Sequence, residues 1–133
     1  MKKFLLLSVV LVALDQLTKY LLQGKTIELL PYVSLQYAEN TGAAFSLLTG
    51  QNALLIFISF IALGVVVYYF RRYPLALSFM LAGLLGNLLD RVLFGFVRDF
   101  ISIGIWPIFN VADTCATIGV LLLLYAFHRE EKH

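Results

Sequence analysis

Apolar residues gather in four long runs separated by short polar breaks. The first, from Phe4 to Leu14, is interrupted only by Ser8, and apolar character resumes after Asp15-Gln16 through Leu17, Tyr20, Leu21 and Leu22. Lys2-Lys3 ahead of this run gives it the look of a secretory leader. No small-x-small cleavage site precedes Asp15, however, so a retained helix is expected over Phe4–Leu22. The second run, Ala53–Phe70, ends at Arg71-Arg72, and Pro74 then breaks the chain. The third is Leu75–Phe94. The fourth, Pro107–Phe127, has proline at its tolerated first position and ends in a polar tail, His128–His133. Each run approaches the ~20 residues that cross a bilayer. The pattern predicts an all-α membrane protein of four transmembrane helices forming one integral domain over residues 1–133. In the connection Gln23–Asn52, Val33-Ser34-Leu35-Gln36-Tyr37 alternates like a half-buried strand. Pro31 precedes it, and Glu39-Asn40-Thr41-Gly42 reads as a turn. A small β-structured cap on the outer membrane surface is expected there, over about residues 25–50.

Composition agrees with the runs. Of 133 residues 61% are hydrophobic and 14% charged, with a mean hydropathy of +0.89, against ~45–50% and ~25% in soluble domains. One small soluble core could not bury so much apolar surface, which excludes a soluble globule, a disordered chain and a coiled coil. The net charge of +2 comes from dispersed basic residues, without the patch that nucleic acid requires. Lys2, Lys3, Arg71, Arg72, Arg129 and Lys132 fall on one side of the four spans, and Lys19, Lys25, Arg91 and Arg98 on the other. That asymmetry makes the first side cytoplasmic, with both termini there. Tyr68, Tyr69, Tyr73 and Tyr125 fit an inner aromatic belt, and Tyr20 and Trp106 an outer one. The lone Cys115 excludes an internal disulfide and a cysteine zinc site. His128 and His133 both lie in the tail, so a serine or cysteine nucleophile, or a buried metal, lacks its imidazole. No metal or cofactor is expected, and the chemistry is left to carboxylates, amides, hydroxyls, Lys and Arg.

Polar groups inside a span are costly and mark function by default. Asp15, Gln16, Thr18 and Lys19 close the first span; Asn87, Asp90 and Arg91 lie in the outer half of the third; Asn110, Asp113, Thr114 and Thr117 open the fourth. The second has only Ser59 and its terminal tyrosines. Three helices therefore place polar groups at one depth, which predicts a pocket below the outer surface lined by spans one, three and four. Gly83 and Gly86 allow close backbone approach. Simpler roles compete for several residues. Asp15 and Lys19, four apart, suit an ion pair, and Asp90 with Arg91 suits another, although Arg91 equally suits a ligand contact. Asn87 suits a cross-helix hydrogen bond and Asn110 a helix cap. Thr114 and Thr117 suit bonds to their own helix, and Cys115 a small core residue.

Asp99 and Asp113 resist such accounts. The 13 residues between them include Gly104, enough for a hairpin returning Asp99 to the head of span four. Neighbouring carboxylates in a partly desolvated site share one proton, and so offer an acid and a base for water attack on an amide. Asp15, Asp90, Asp99 and Asp113 exceed Lys19, Arg91 and Arg98 by one negative charge, which a shared proton cancels. Two rival readings are a small proton-coupled transporter, whose acids belong near the bilayer midplane, and a non-catalytic membrane subunit.

Five ordered segments resemble the lipoprotein signal peptidases (signal peptidase II), a family of bacterial membrane aspartyl proteases. They are Asp15-Gln16-Leu17-Thr18-Lys19, Asn40-Thr41-Gly42-Ala43-Ala44-Phe45, Gly86-Asn87-Leu88-Leu89-Asp90-Arg91, Gly95-Phe96-Val97-Arg98-Asp99-Phe100 and Phe109-Asn110-Val111-Ala112-Asp113. The resemblance implies four transmembrane helices with an extracytoplasmic β-cradle between helices one and two. It implies removal of the signal peptide from diacylglyceryl-modified prolipoproteins by cleavage before the lipidated cysteine, at the outer face of the inner membrane, with inhibition by globomycin. Asp99 and Asp113 would be catalytic. Asn40, Gly42, Asn87, Arg91 and Asn110 would contact substrate or support the site, and Asp15, Lys19 and Asp90 would shape it. The expected partners are the prolipoprotein and membrane lipids, and a monomer suffices. Arg98 stands where the family more usually carries an apolar residue, and the stretch between the two aspartates is short.

Overall fold

A computed structural model of the chain describes residues 1–43 and 47–132. Ala44 and Phe45 of the second motif, and His133, lie outside the described residues. The elements are α1 (Lys2–Leu22), β1 (Thr26–Leu30), β2 (Val33–Asn40), α2 (Asn52–Tyr69), α3 (Pro74–Phe94), β3 (Val97–Ile103) and α4 (Val111–Glu130). Among the described residues, these four helices are long and apolar enough to cross a membrane. The apolar run that opens at Pro107 becomes helical only at Val111, because Phe109 first pairs in extended form with Ile101.

α3 is the hub, packing on α1, α2 and α4. Lipid gives helices no hydrophobic reason to associate, so close van der Waals contact must do it. Gly83 supplies that contact: an added Cβ would lie 2.7 Å from both the Ala112 carbonyl oxygen and the Ala116 Cβ. At the far end of the bundle, Val66 and Phe70 meet Leu77 and Leu81 in a small core. α2 is peripheral. It is almost wholly apolar, yet only Leu55 and Val66 are buried, leaving its apolar surface turned outward.

The three strands form one antiparallel sheet in the order β1-β2-β3. It follows the ends of α1 and α3 and precedes the starts of α2 and α4, so it caps one end of the bundle. The cap is not built from residues 25–50 alone, because its third strand comes from between α3 and α4. That strand also explains why β2 outruns its alternating stretch. Ala38, Glu39 and Asn40 pair with Asp99, Arg98 and Val97, so Glu39 and Asn40 are strand where a turn was expected.

Candidate active site

Asp99 sits in the middle of β3, 3% exposed. The segment before α4 returns alongside it: Phe100 N–H and Ile101 N–H donate to the Phe109 carbonyl at 3.0 and 2.8 Å, and Phe109 N–H to Ile101 O at 3.0 Å. The next residue, Asn110, is fully buried and caps α4. Its Oδ1 accepts from Asp113 N–H at 2.9 Å, while Asp113 Oδ2 accepts from Asn110 N–H at 3.0 Å. This reciprocal capping box satisfies two amides that a helix start leaves free. Asn110 Nδ2 meanwhile donates to Asp99 Oδ1 at 2.8 Å. One side chain therefore joins both aspartates.

The other carboxylate oxygens also receive amide donors. Asn87 Nδ2 donates to Asp113 Oδ1 at 2.8 Å, and Asn40 Nδ2 to Asp99 Oδ2 at 3.2 Å. Gly42 N–H donates to Asn40 Oδ1 at 2.9 Å, which turns the Asn40 amide nitrogen toward Asp99. Asn40, Asn87, Arg91, Asp99 and Asp113 line one open cavity of about 730 Å³, whose apolar wall is Val97 and Trp106 to Phe109. Burial, and after it the negative charge of Asp113, push the Asp99 carboxyl up to about 7. It is then half-protonated near neutral pH, as one member of a pair that titrates together.

Asp15 and Lys19 do not line this cavity. They lie behind it, fully buried, because α1 packs on the face of α3 and α4 that the cavity does not reach. Lys19 Nζ is 2.7 Å from Asp15 Oδ2 and 3.4 Å from Asp90 Oδ2. It also donates to Gly86 O and Asn87 Oδ1, both at 3.2 Å. The Asn87 amide is thereby fixed with its nitrogen toward Asp113. Asp15 Oδ1 accepts from Ala112 N–H at 2.8 Å, placing a carboxylate on the first turn of α4, where the helix dipole favours it.

Asp90 does not pair with Arg91, since adjacent helical residues do not face each other. Besides Lys19 its ion-pair partner is Arg98, at 2.9 Å, while Arg91 Nη2 donates to the Gly42 carbonyl at 3.2 Å. Arg98 and Gln16 are the members of this network that motif reading left without a role. The signal available for Gln16 was an amide beside Asp15 in an otherwise apolar helix. Thr114 and Thr117 hydroxyls donate to the carbonyls of Asn110 and Asp113, and Cys115 is a buried free thiol. Among the described residues, no three His, Cys, Asp or Glu side chains gather as a metal site would need. The arrangement offers two acids of unlike surroundings facing a shared cavity, ringed by amide donors and one guanidinium.

Residues 7–129 match the family model described as signal peptidase (SPase) II. The lipoprotein signal peptidase of Streptococcus pyogenes serotype M1 is 38% identical over 150 residues, covering 100% of this chain and 99% of that protein. That of Moorella thermoacetica is 37% identical over 135 residues, covering 92% and 90%. A solved bacterial membrane enzyme superposes with a TM-score of 0.91 at 35% identity, covering 98% of this chain and 90% of the other. A second solved bacterial membrane enzyme gives 0.85 at 36% identity.

Proposed function

This chain belongs to the signal peptidase II family, and we propose that it is an aspartyl endopeptidase that removes the signal peptide from prolipoproteins by cleaving before the diacylglyceryl-modified cysteine. The family and the four span-capable helices make it a multi-pass bacterial membrane protein. The observation that best supports the proposed chemistry is Asn110, hydrogen-bonded to Asp99 by its amide and to Asp113 by the capping box.

In the proposed reaction the ionised member of the pair takes a proton from water as the water oxygen attacks the scissile carbonyl carbon. The protonated partner donates to the carbonyl oxygen. Collapse of the tetrahedral intermediate breaks the C–N bond, and a proton passes to the leaving amine of the lipidated cysteine. The proton belongs to the pair rather than to either aspartate. Arg91, with Asn40 and Asn87, grips the polar parts of the peptide. The lipid anchor holds the scissile bond at headgroup depth, which suits a cavity at one end of the bundle beside the sheet. Six of the ten basic residues lie toward the opposite end, which supports an orientation with the site at the outer face and both termini in the cytoplasm. A proton-coupled transporter would need its acids near the midplane, a depth unlike that of a strand capping the helices.

The test is a synthetic diacylated precursor given to the purified chain. Asp99→Asn and Asp113→Asn should each abolish cleavage while the protein still inserts, and globomycin should inhibit the unmodified chain. Full activity from either variant would end the dyad proposal.

A further inference from the structure

Asp99 is held in place by more than its own hydrogen bonds. Successive side chains of a strand point to opposite faces, so Arg98 points away from the cavity and into the protein, 5% exposed. Its guanidinium grips Asp90 of α3 as a fork, Nε to Oδ2 at 3.1 Å and Nη2 to Oδ1 at 2.9 Å. Bidentate pairing of this kind fixes geometry as well as charge. Arg98 N–H adds a third bond to Asp90 Oδ2 at 2.9 Å, and Nη2 reaches Gln16 Oε1 of α1 at 2.8 Å. The Phe94 ring centroid lies 4.6 Å from the guanidinium carbon. On its other side, the Arg98 carbonyl accepts from Asn110 Nδ2 at 3.3 Å. One residue thus ties β3 to α1, to α3 and to the cap of α4, immediately before the aspartate in question.

We propose that Arg98 is a positioning residue, which clamps β3 so that Asp99 meets Asn110 and Asp113, and which cancels the charge of Asp90 behind the pair. The proposal rests on the reading of Asp99 and Asp113 as the reactive pair. The buried groups behind the cavity are Asp15 and Asp90 against Lys19 and Arg98, a balanced set. Asp99 itself faces Asp113 of α4, Lys19 of α1 and Arg91 of α3, with Glu39 of β2 on the same cavity. Removing the Arg98 cation leaves one uncompensated negative charge next to that group of charges. An added negative charge disfavours ionisation of a neighbouring carboxyl. Loss of the Arg98 cation should therefore move the alkaline limb of activity upward, which loss of a purely structural strut would not do.

The experiment compares the full chain with Arg98→Met, Arg98→Lys and the double variant Asp90→Asn/Arg98→Met. It measures kcat, KM and pH profile on a diacylated precursor, together with the melting temperature and the carboxyl titration of Asp99 by infrared difference spectroscopy. Arg98→Met should lower kcat by about 10- to 100-fold, the scale of a small misplacement of a reacting group, with KM nearly unchanged and the alkaline limb raised. Arg98→Lys keeps the charge without the fork, so its limb should stay in place while kcat recovers only in part. The double variant restores the charge balance, so its limb should return while kcat stays low. An Arg98→Met protein with unaltered kcat and limb overturns the proposal. So does a loss of activity fully explained by less folded protein, with the limb unmoved. Should the unmodified chain fail to cut the precursor, the proposed function falls, but the Asp99 titration still decides the clamp: upward in Arg98→Met supports it, and no shift refutes it.

Discussion

Asn110 reaches both aspartates with one short side chain: its oxygen caps α4 through Asp113 N–H, and its nitrogen donates to Asp99. Loss of a cap alone costs ~1 kcal/mol. Asn110→Ala should therefore lose about that much stability in thermal unfolding, yet cleave about 100-fold more slowly, because Asp99 loses the side-chain donor that ties it to the head of α4. A loss of stability without the disproportionate loss of rate would count against the pairing. Asp99 makes a second prediction at this scale. Its value of about 7 lies above the ordinary 3.8, so the folded protein keeps a proton that the unfolded chain releases. Stability should then fall as pH rises through that window and level off above it. Asp99→Asn removes this slope and should unfold at a higher temperature than the unmodified protein at alkaline pH, the gap closing toward pH 4. Activity should fall as pH rises beyond 7, when the shared proton is lost. The composition of the site was legible from residue types alone, since an acid in an apolar setting has few inexpensive explanations. The pairing was not: Asp90 of α3 meets Arg98 of β3 instead of its neighbour Arg91.

The elements that set the site are α3 and α4, and their spacing depends on glycine. Gly83→Val would press a Cβ into Ala112 and Ala116, an overpacking that costs ~1–3 kcal/mol. It should also widen the gap between Asn87 and Asp113 and lower kcat. Gly64→Ala, on α2, meets nothing within 4 Å and should leave both melting temperature and cleavage unchanged. Equal effects from the two substitutions would refute the packing argument. The helices were readable because a span needs a long apolar run, and such runs stand out in a linear text. β3 was not, because Val97–Ile103 takes its strand conformation by pairing with β2, a partner about half the chain away. The same pairing extends β2 to Asn40 and thereby aims Asn40 at Asp99.

At the scale of the whole molecule, apolar side chains face outward along all four helices, as with Leu6, Phe57, Val92 and Leu121, while the buried charges cluster beneath the sheet. This inverts a soluble protein and matches a bilayer solvent. Reporter fusions should place both termini in the cytoplasm, and a label on Tyr32→Cys at the β1–β2 turn should react from outside; the reverse pattern would overturn the orientation. The sequence alone determined the solvent, the number of spans and the kinds of group available for chemistry, because each depends on composition summed over a segment. Tertiary structure alone decided which acid meets which amide, where the sheet finds its third strand, and why Lys19 and Arg98 stand behind the cavity instead of in it. Those outcomes depend on distances of about 3 Å between residues 11 to 97 positions apart, and hydrogen bonds that short are set by how helices and strands pack rather than by any local pattern.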